Sequence, residues 1–256
     1  MTKNHDAPKD KKGRSMNILV TGGSSGIGYG ICQHFSKLGC KVINFDISVP
    51  KNEDFETVQV DVSDVKSLDS AFQNIKKRYP TIDVLISNAG IHLSKKIEDT
   101  SFEEYEKVIN TNIRGAFFVI KNTLLLMKEN GGKIITIGSD QSFIAKHNAA
   151  AYGLTKGAIA QLTKNIAIDY AAHNITANCV CPGTIDTPLY RNAIRAYCED
   201  TDLKYENVHQ NENKMQPVGR VGKVSEIVDL IDFLVFKSSA FLTGAIIPID
   251  GGYTAR

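Results

Sequence analysis

Tyr152 and Lys156 stand four residues apart in Tyr152-Gly153-Leu154-Thr155-Lys156. On a helix that spacing puts a phenol and an ammonium on one face. A neighbouring cation favours the phenolate, and a phenol so assisted can act as general acid or base in an alcohol–carbonyl interconversion. Taken alone the pair is weak, because Tyr and Lys at this spacing decorate many solvated helices. Its setting is more specific. Ser139 lies 13 residues before Tyr152, at the exit of the β-rich run 133–137. Ser87-Asn88-Ala89-Gly90 follows another apolar run, and Pro182-Gly183 a third. In open α/β sheets, ligands gather at the carboxyl ends of strands, and small residues at these exits describe one long groove.

A second chemistry begins near the N-terminus. An apolar run over 16–20 leads directly into Thr21-Gly22-Gly23-Ser24-Ser25-Gly26-Ile27-Gly28. Side-chain-free positions there let the backbone turn tightly and approach a pyrophosphate at a helix N-terminus. Asp46 ends the next apolar run, 18 residues after Gly28. A carboxylate at that point can accept both ribose hydroxyls of an adenosine and repels a 2′-phosphate. No Arg or Lys occurs among Ser24, Ser25, Ile47 and Ser48 to hold such a phosphate. NAD is therefore expected over NADP.

The elements that must position these residues alternate. Strands are expected at 16–20, 41–45, 57–60, 84–86, 133–137, 175–180 and 245–249, and helices at 26–38, 64–79, about 101–127, 149–172 and 224–236. Gly39 falls where a helix-terminating glycine belongs, and Pro80 stops the second helix. This alternation predicts an α/β fold: one doubly wound, Rossmann-type domain over 16–256, with about seven parallel strands and helices on both faces. The polar stretch from about 186 to 216 is expected to be an irregular substrate loop. Residues 1–15, with five basic and two acidic side chains, are expected to form a flexible basic tail without a secretory h-region.

Composition removes other classes. The 256-residue chain is 42% hydrophobic and 23% charged with a net charge of +2, giving no cause to expect nucleic acid or a membrane surface as partner. Five cysteines form no CxxC pair and do not cluster with histidine, so no metal site is expected, and free thiols in the cytoplasm are. Cys179 and Cys181, flanking one valine, are expected on opposite sides of a strand.

Taken in order, TGGSSGIG at 21–28, Asp61-Val62, SNAG at 87–90, Asn112, Ser139, YGLTK at 152–156, PGTIDT at 182–187 and TGAIIPIDGG at 243–252 resemble the short-chain dehydrogenase/reductase family. Ser87 stands where the family usually carries Asn. The resemblance implies that Tyr152 exchanges a proton with the substrate oxygen and that Lys156 holds the nicotinamide ribose. Ser139 would bond the substrate oxygen, and Asn112 would maintain a water relay to Lys156. It further implies cofactor contacts from Gly22, Ser24, Ser25, Gly26, Ile27, Gly28, Asp46, Asp61, Val62, Asn88, Ala89 and Gly90. Tyr152, Lys156, Pro182, Gly183, Ile185 and Thr187 would complete that set. Dimers or tetramers built through the long helix are also implied.

For the substrate, His92, Ser139, Gln141, Lys146, His147, Tyr190, Arg191 and Arg195 are the candidate lining residues. This polar, partly cationic group points to a small hydroxy acid or sugar-type alcohol or carbonyl compound. The rivals are an NADP-linked ketone or 3-oxoacyl reductase of the same fold and a non-catalytic dinucleotide-binding scaffold.

Overall fold

Residue alternation in the first strand sets the architecture. Leu19 packs into one apolar cluster while Ile18 and Val20 pack into another, so the strand is sealed on both faces. The computed structural model of the chain describes residues 13–50 and 54–255. Most of the expected tail thus lies outside the described residues; within it, Ser15 Oγ donates to the Gly39 carbonyl (2.8 Å).

Seven strands form one sheet: β1 (Asn17–Thr21), β2 (Lys41–Asp46), β3 (Glu56–Gln59), β4 (Val84–Ser87), β5 (Gly132–Ile137), β6 (Ile175–Pro182) and β7 (Ile246–Ile249). Their order is β3-β2-β1-β4-β5-β6-β7, and every pairing is parallel. The strand order reverses direction between β1 and β4, which opens a crevice at their carboxyl ends.

Helices α1 (Gly26–Lys37) and α8 (Val224–Asp232) cover one face through Ile31, Phe35, Ile227 and Ile231. Helices α2 (Val65–Arg78), α4 (Ala116–Met127) and α5 (Ala150–Asp169) cover the other through Leu68, Phe72, Leu124 and Ile166. The Asp64 side chain caps α2 by accepting from the Lys66 and Ser67 amides.

Three expectations are corrected. The helix expected over 101–127 is divided: α3 (Phe102–Ile109), capped by a reciprocal Ser101–Glu104 box, widens into a π turn at Asn110–Gly115 before α4 begins. The stretch 186–216 is not irregular. It folds as α6 (Pro188–Thr201) and α7 (Tyr205–Met215), started by Thr187 accepting from the Tyr190 amide with proline in the first turn. Its polar composition hid the helices because they bury little; Ile194 and Val208 are among the few apolar anchors. Cys179 and Cys181 share a face, since strand side chains repeat every second residue, and their sulfurs lie 3.6 Å apart.

Candidate active site

The glycine turn is built by conformation and by crowding. Gly22 (φ +69°) and Gly26 (φ +55°) occupy the left-handed region, which costs glycine nothing. A Cβ on Gly28 would sit 2.1 Å from the Gly22 carbonyl oxygen, so the helix can start this close to the turn only without one. The side chain of Ser25, at the N-cap of α1, makes no capping bond. Two buried polar groups that the sequence reading passed over hold the turn. Asn44 Oδ1 accepts from the Gly23 amide (2.7 Å), and Thr21 Oγ1 accepts from the Asn88 and Ala89 amides (3.0 Å each). Asn88 Nδ2 returns bonds to the Thr21 and Gly22 carbonyls (3.0 Å each), fastening the exits of β1 and β4 together.

Asp46, at the end of β2, faces this turn. One carboxylate oxygen accepts from the Ser24 amide (2.9 Å) and the other from the Ser48 amide (3.0 Å). Beyond β3, Asp61 accepts from the Ser63 amide (2.8 Å), and buried Val62 packs where a Cβ on Gly115 would come within 2.9 Å of it. The far wall comes from the exit of β6. Gly183 donates to the Ile249 carbonyl (3.1 Å), Ile185 bridges to Gly222, and Thr187 lies 3.6 Å from where a Gly26 Cβ would be.

Across the crevice, α5 carries Tyr152 and Lys156. Lys156 is buried; its Nζ lies 5.5 Å from the Tyr152 ring centre and donates to the Ile137 carbonyl at the end of β5 (2.8 Å). The π turn explains Asn112. It brings the amide inward, where Oδ1 accepts from the Ile91 amide (2.8 Å) and Nδ2 donates to the Ile91 carbonyl (2.9 Å) and Thr155 Oγ1 (3.1 Å). Thr155 in turn donates to the Tyr152 carbonyl (2.7 Å), so the turn of α5 holding the tyrosine is tied to β4's exit. Ser139 Oγ donates to Asp140 Oδ1 (2.8 Å) and accepts from the Gln141 amide (3.2 Å).

Of the expected substrate residues, His92 packs edge-on against Tyr152 with ring centres 4.7 Å apart. Partial withdrawal from water, then the Lys146 and Lys156 charges, lower its pKa below the ordinary histidine value. Gln141, Lys146 and His147 line an open cavity of about 670 Å3 beside the first turn of α5. Lys146 Nζ sits 2.5 Å from Asp140 Oδ2 and 4.7 Å from the Tyr253 ring centre. Tyr190, Arg191 and Arg195 turn to partners within their own segment. Tyr190 bonds His209 Nδ1 (2.8 Å), Arg191 forks onto Asp186 (2.7 and 2.9 Å), and Arg195 reaches Asn192 (3.2 Å).

A family model described as enoyl-(acyl carrier protein) reductase matches residues 22–254. A short chain dehydrogenase family protein from Francisella tularensis is 39% identical, with TM-score 0.89 over 94% of this chain and 100% of that one. The chain belongs to the short-chain dehydrogenase/reductase family.

This dehydrogenase/reductase is an oxidoreductase of a family acting on CH–OH groups. Two further relatives differ in cofactor. An NAD-dependent glycerol dehydrogenase from Listeria innocua is 32% identical over 93% of each chain. An NADP-dependent (R)-specific alcohol dehydrogenase from Lentilactobacillus kefiri is 31% identical over 93% of this chain and 96% of that one. A dinucleotide fits the residues of the crevice: a side-chain-free turn at a helix start accepts a pyrophosphate, and Asp46 presents a carboxylate beside it. No helix among the described residues is long and apolar enough to cross a membrane.

Proposed function

We propose that this enzyme transfers a hydride between NAD(H) and a small polar secondary alcohol or its carbonyl counterpart. What supports the reading is that Lys156 Nζ lies 5.5 Å from the Tyr152 ring centre while Lys156, Ser139 and Asn112 are each held by a buried bond. The nicotinamide supplies the hydride acceptor or donor. Tyr152 moves the proton at the substrate oxygen, and Lys156 supplies the neighbouring positive charge. Ser139 and the Tyr152 hydroxyl line the oxygen that changes charge, where preorganised donors are worth a few kcal/mol.

The Gly22–Gly28 turn, with Ser24, Ser25, Gly26 and Ile27, would hold the pyrophosphate. Asp61 and Val62 would flank the adenine, Asn88, Ala89 and Gly90 the central cofactor, and Pro182, Gly183, Ile185 and Thr187 the nicotinamide. NAD is assigned on Asp46. Its two oxygens are oriented by the Ser24 and Ser48 amides toward the turn, which suits ribose hydroxyls and repels a third phosphate. The test is affinity for NAD and NADP by protein fluorescence, for the native chain and Asp46→Ala. NAD binding at least tenfold tighter, with the gap closing in the variant, is expected; tighter NADP binding by the native chain overturns the assignment.

Residues 16–256 form one catalytic domain in this reading, working in the cytoplasm as a homotetramer or homodimer. Sedimentation tests the assembly.

A further inference from the structure

Gln141 is an oddity of this site. Its residue surface is only 9% exposed, and its Oε1 accepts no hydrogen bond from any described protein group. A buried amide oxygen without a donor is costly and rare in folded proteins. The residue belongs to the wall of a cavity. The Gln141 backbone amide is bonded to Ser139 Oγ (3.2 Å), and Oε1 would lie 3.3 Å from a Cβ on Gly153, the residue after Tyr152. Gln141 is therefore joined through its backbone to Ser139 and packed against the residue that follows Tyr152, and both Gln141 and Gly153 line the 670 Å3 cavity.

Two lysines of the cavity wall already have carboxylate partners: Lys95 pairs with Glu104 and Lys146 with Asp140. Asp140, 3% exposed at its side chain, pairs with Lys146, and Asp186 pairs with Arg191. Burial, then the Lys146 and Lys156 charges, lower the His92 pKa and so disfavour its cationic form. Lys96 and Glu98 also line the cavity. An entering carboxylate would compete with Asp140 for Lys146, whereas a hydroxyl would give Gln141 Oε1 the donor it needs.

Resting on the hydride-transfer reading above, we infer that the substrate is a neutral vicinal diol, or the matching hydroxy-ketone, whose second hydroxyl donates to Gln141 Oε1. Gln141 is then a specificity-determining residue, and the hydroxy-acid alternative falls away. The reacting carbon gives its hydride to the nicotinamide and its hydroxyl proton to Tyr152, while the neighbouring hydroxyl is unchanged.

The experiment compares kcat/KM with NAD for matched sets of three to six carbons: a vicinal diol, the mono-alcohol of the same skeleton, and the 2-hydroxy acid. The native chain is expected to prefer the diol over the mono-alcohol by about ten- to a hundredfold. Gln141→Met, similar in length but without the acceptor, should bring that ratio to within about threefold. Gln141→Asn, which withdraws the amide by one methylene, should lower it as well. Melting in the presence of NAD checks that each variant folds, and the native ratio tests the inference without any variant. Turnover without diol preference, or a preference for the hydroxy acid, overturns this inference and leaves the hydride-transfer reading standing. Absence of turnover for every set overturns both.

Discussion

Ser139 Oγ donates to Asp140 Oδ1 across 2.8 Å, while the other oxygen of the same carboxylate lies 2.5 Å from Lys146 Nζ. One buried carboxylate thus orients the serine hydroxyl and neutralises the nearest lysine. Lys146→Met would leave Asp140 buried without its counter-charge. Breaking such a pair is strongly destabilising, moderated here because Lys146 is 28% exposed, so a loss of about 2–4 kcal/mol is expected by urea denaturation. A change below about 1 kcal/mol would show the pair to be solvent-screened.

Tyr152→Phe removes the one proton the proposed chemistry moves. Loss of a general acid–base group typically lowers kcat by about 10²–10⁴-fold. NAD affinity, measured by fluorescence titration, should stay within about threefold, because the pyrophosphate turn is untouched. Full turnover in this variant would end the mechanism.

Gly28→Ala tests the closeness of the turn. With the new methyl carbon 2.1 Å from the Gly22 carbonyl oxygen and 2.6 Å from Asn88 Nδ2, the turn or the start of α1 must move. Overpacking of this kind costs about 1–3 kcal/mol, visible as a lower melting temperature. NAD affinity should fall at least about tenfold, since the amides at the helix start are displaced. Undiminished affinity would place the pyrophosphate elsewhere.

Glu226 anchors the start of α8 by accepting from the Lys223 amide. Its carboxylate takes bonds from Arg220 and from the Lys223 amide, which together hold its pKa down to about 2. The folded chain therefore binds fewer protons at this group than the unfolded chain does. Stability from it is complete above the unfolded value, about 4.5, and is lost as pH falls from there through about 2. Because the group is 37% exposed, the amount is less than about 1 kcal/mol. Carboxyl NMR titration should give a midpoint near 2, moving upward in Arg220→Ala. A midpoint near the ordinary value would contradict the bidentate pair.

Strand positions and sheet architecture were legible because buried strands read as short apolar runs and some helix starts leave a local cue, as Asp64 and Ser101 do. The π turn was not legible. Its residues, Asn110–Gly115, are mostly weak helix formers between two strongly helical segments, so the pattern reads as one continuous helix, and what widens it is the pull of Asn112 toward Ile91 and Thr155 in distant segments. Helices α6 and α7 were missed because their composition is polar overall, although Tyr190, Ile194, Tyr197 and Cys198 do fall at helical spacing in α6.

The sequence by itself determined the parallel α/β sheet, the glycine turn, the Tyr152–Lys156 pair and the family, since each depends on residue type and short spacing. The tertiary structure decided what the charges and amides do. Lys146 meets Asp140, Arg191 meets Asp186, and Gln141 Oε1 is left without a donor beside Ser139. Short spacing reports which residues share a helix face or a strand face. Whether a charge is answered or a buried acceptor is left open depends on the three-dimensional path of a loop, which no local pattern encodes.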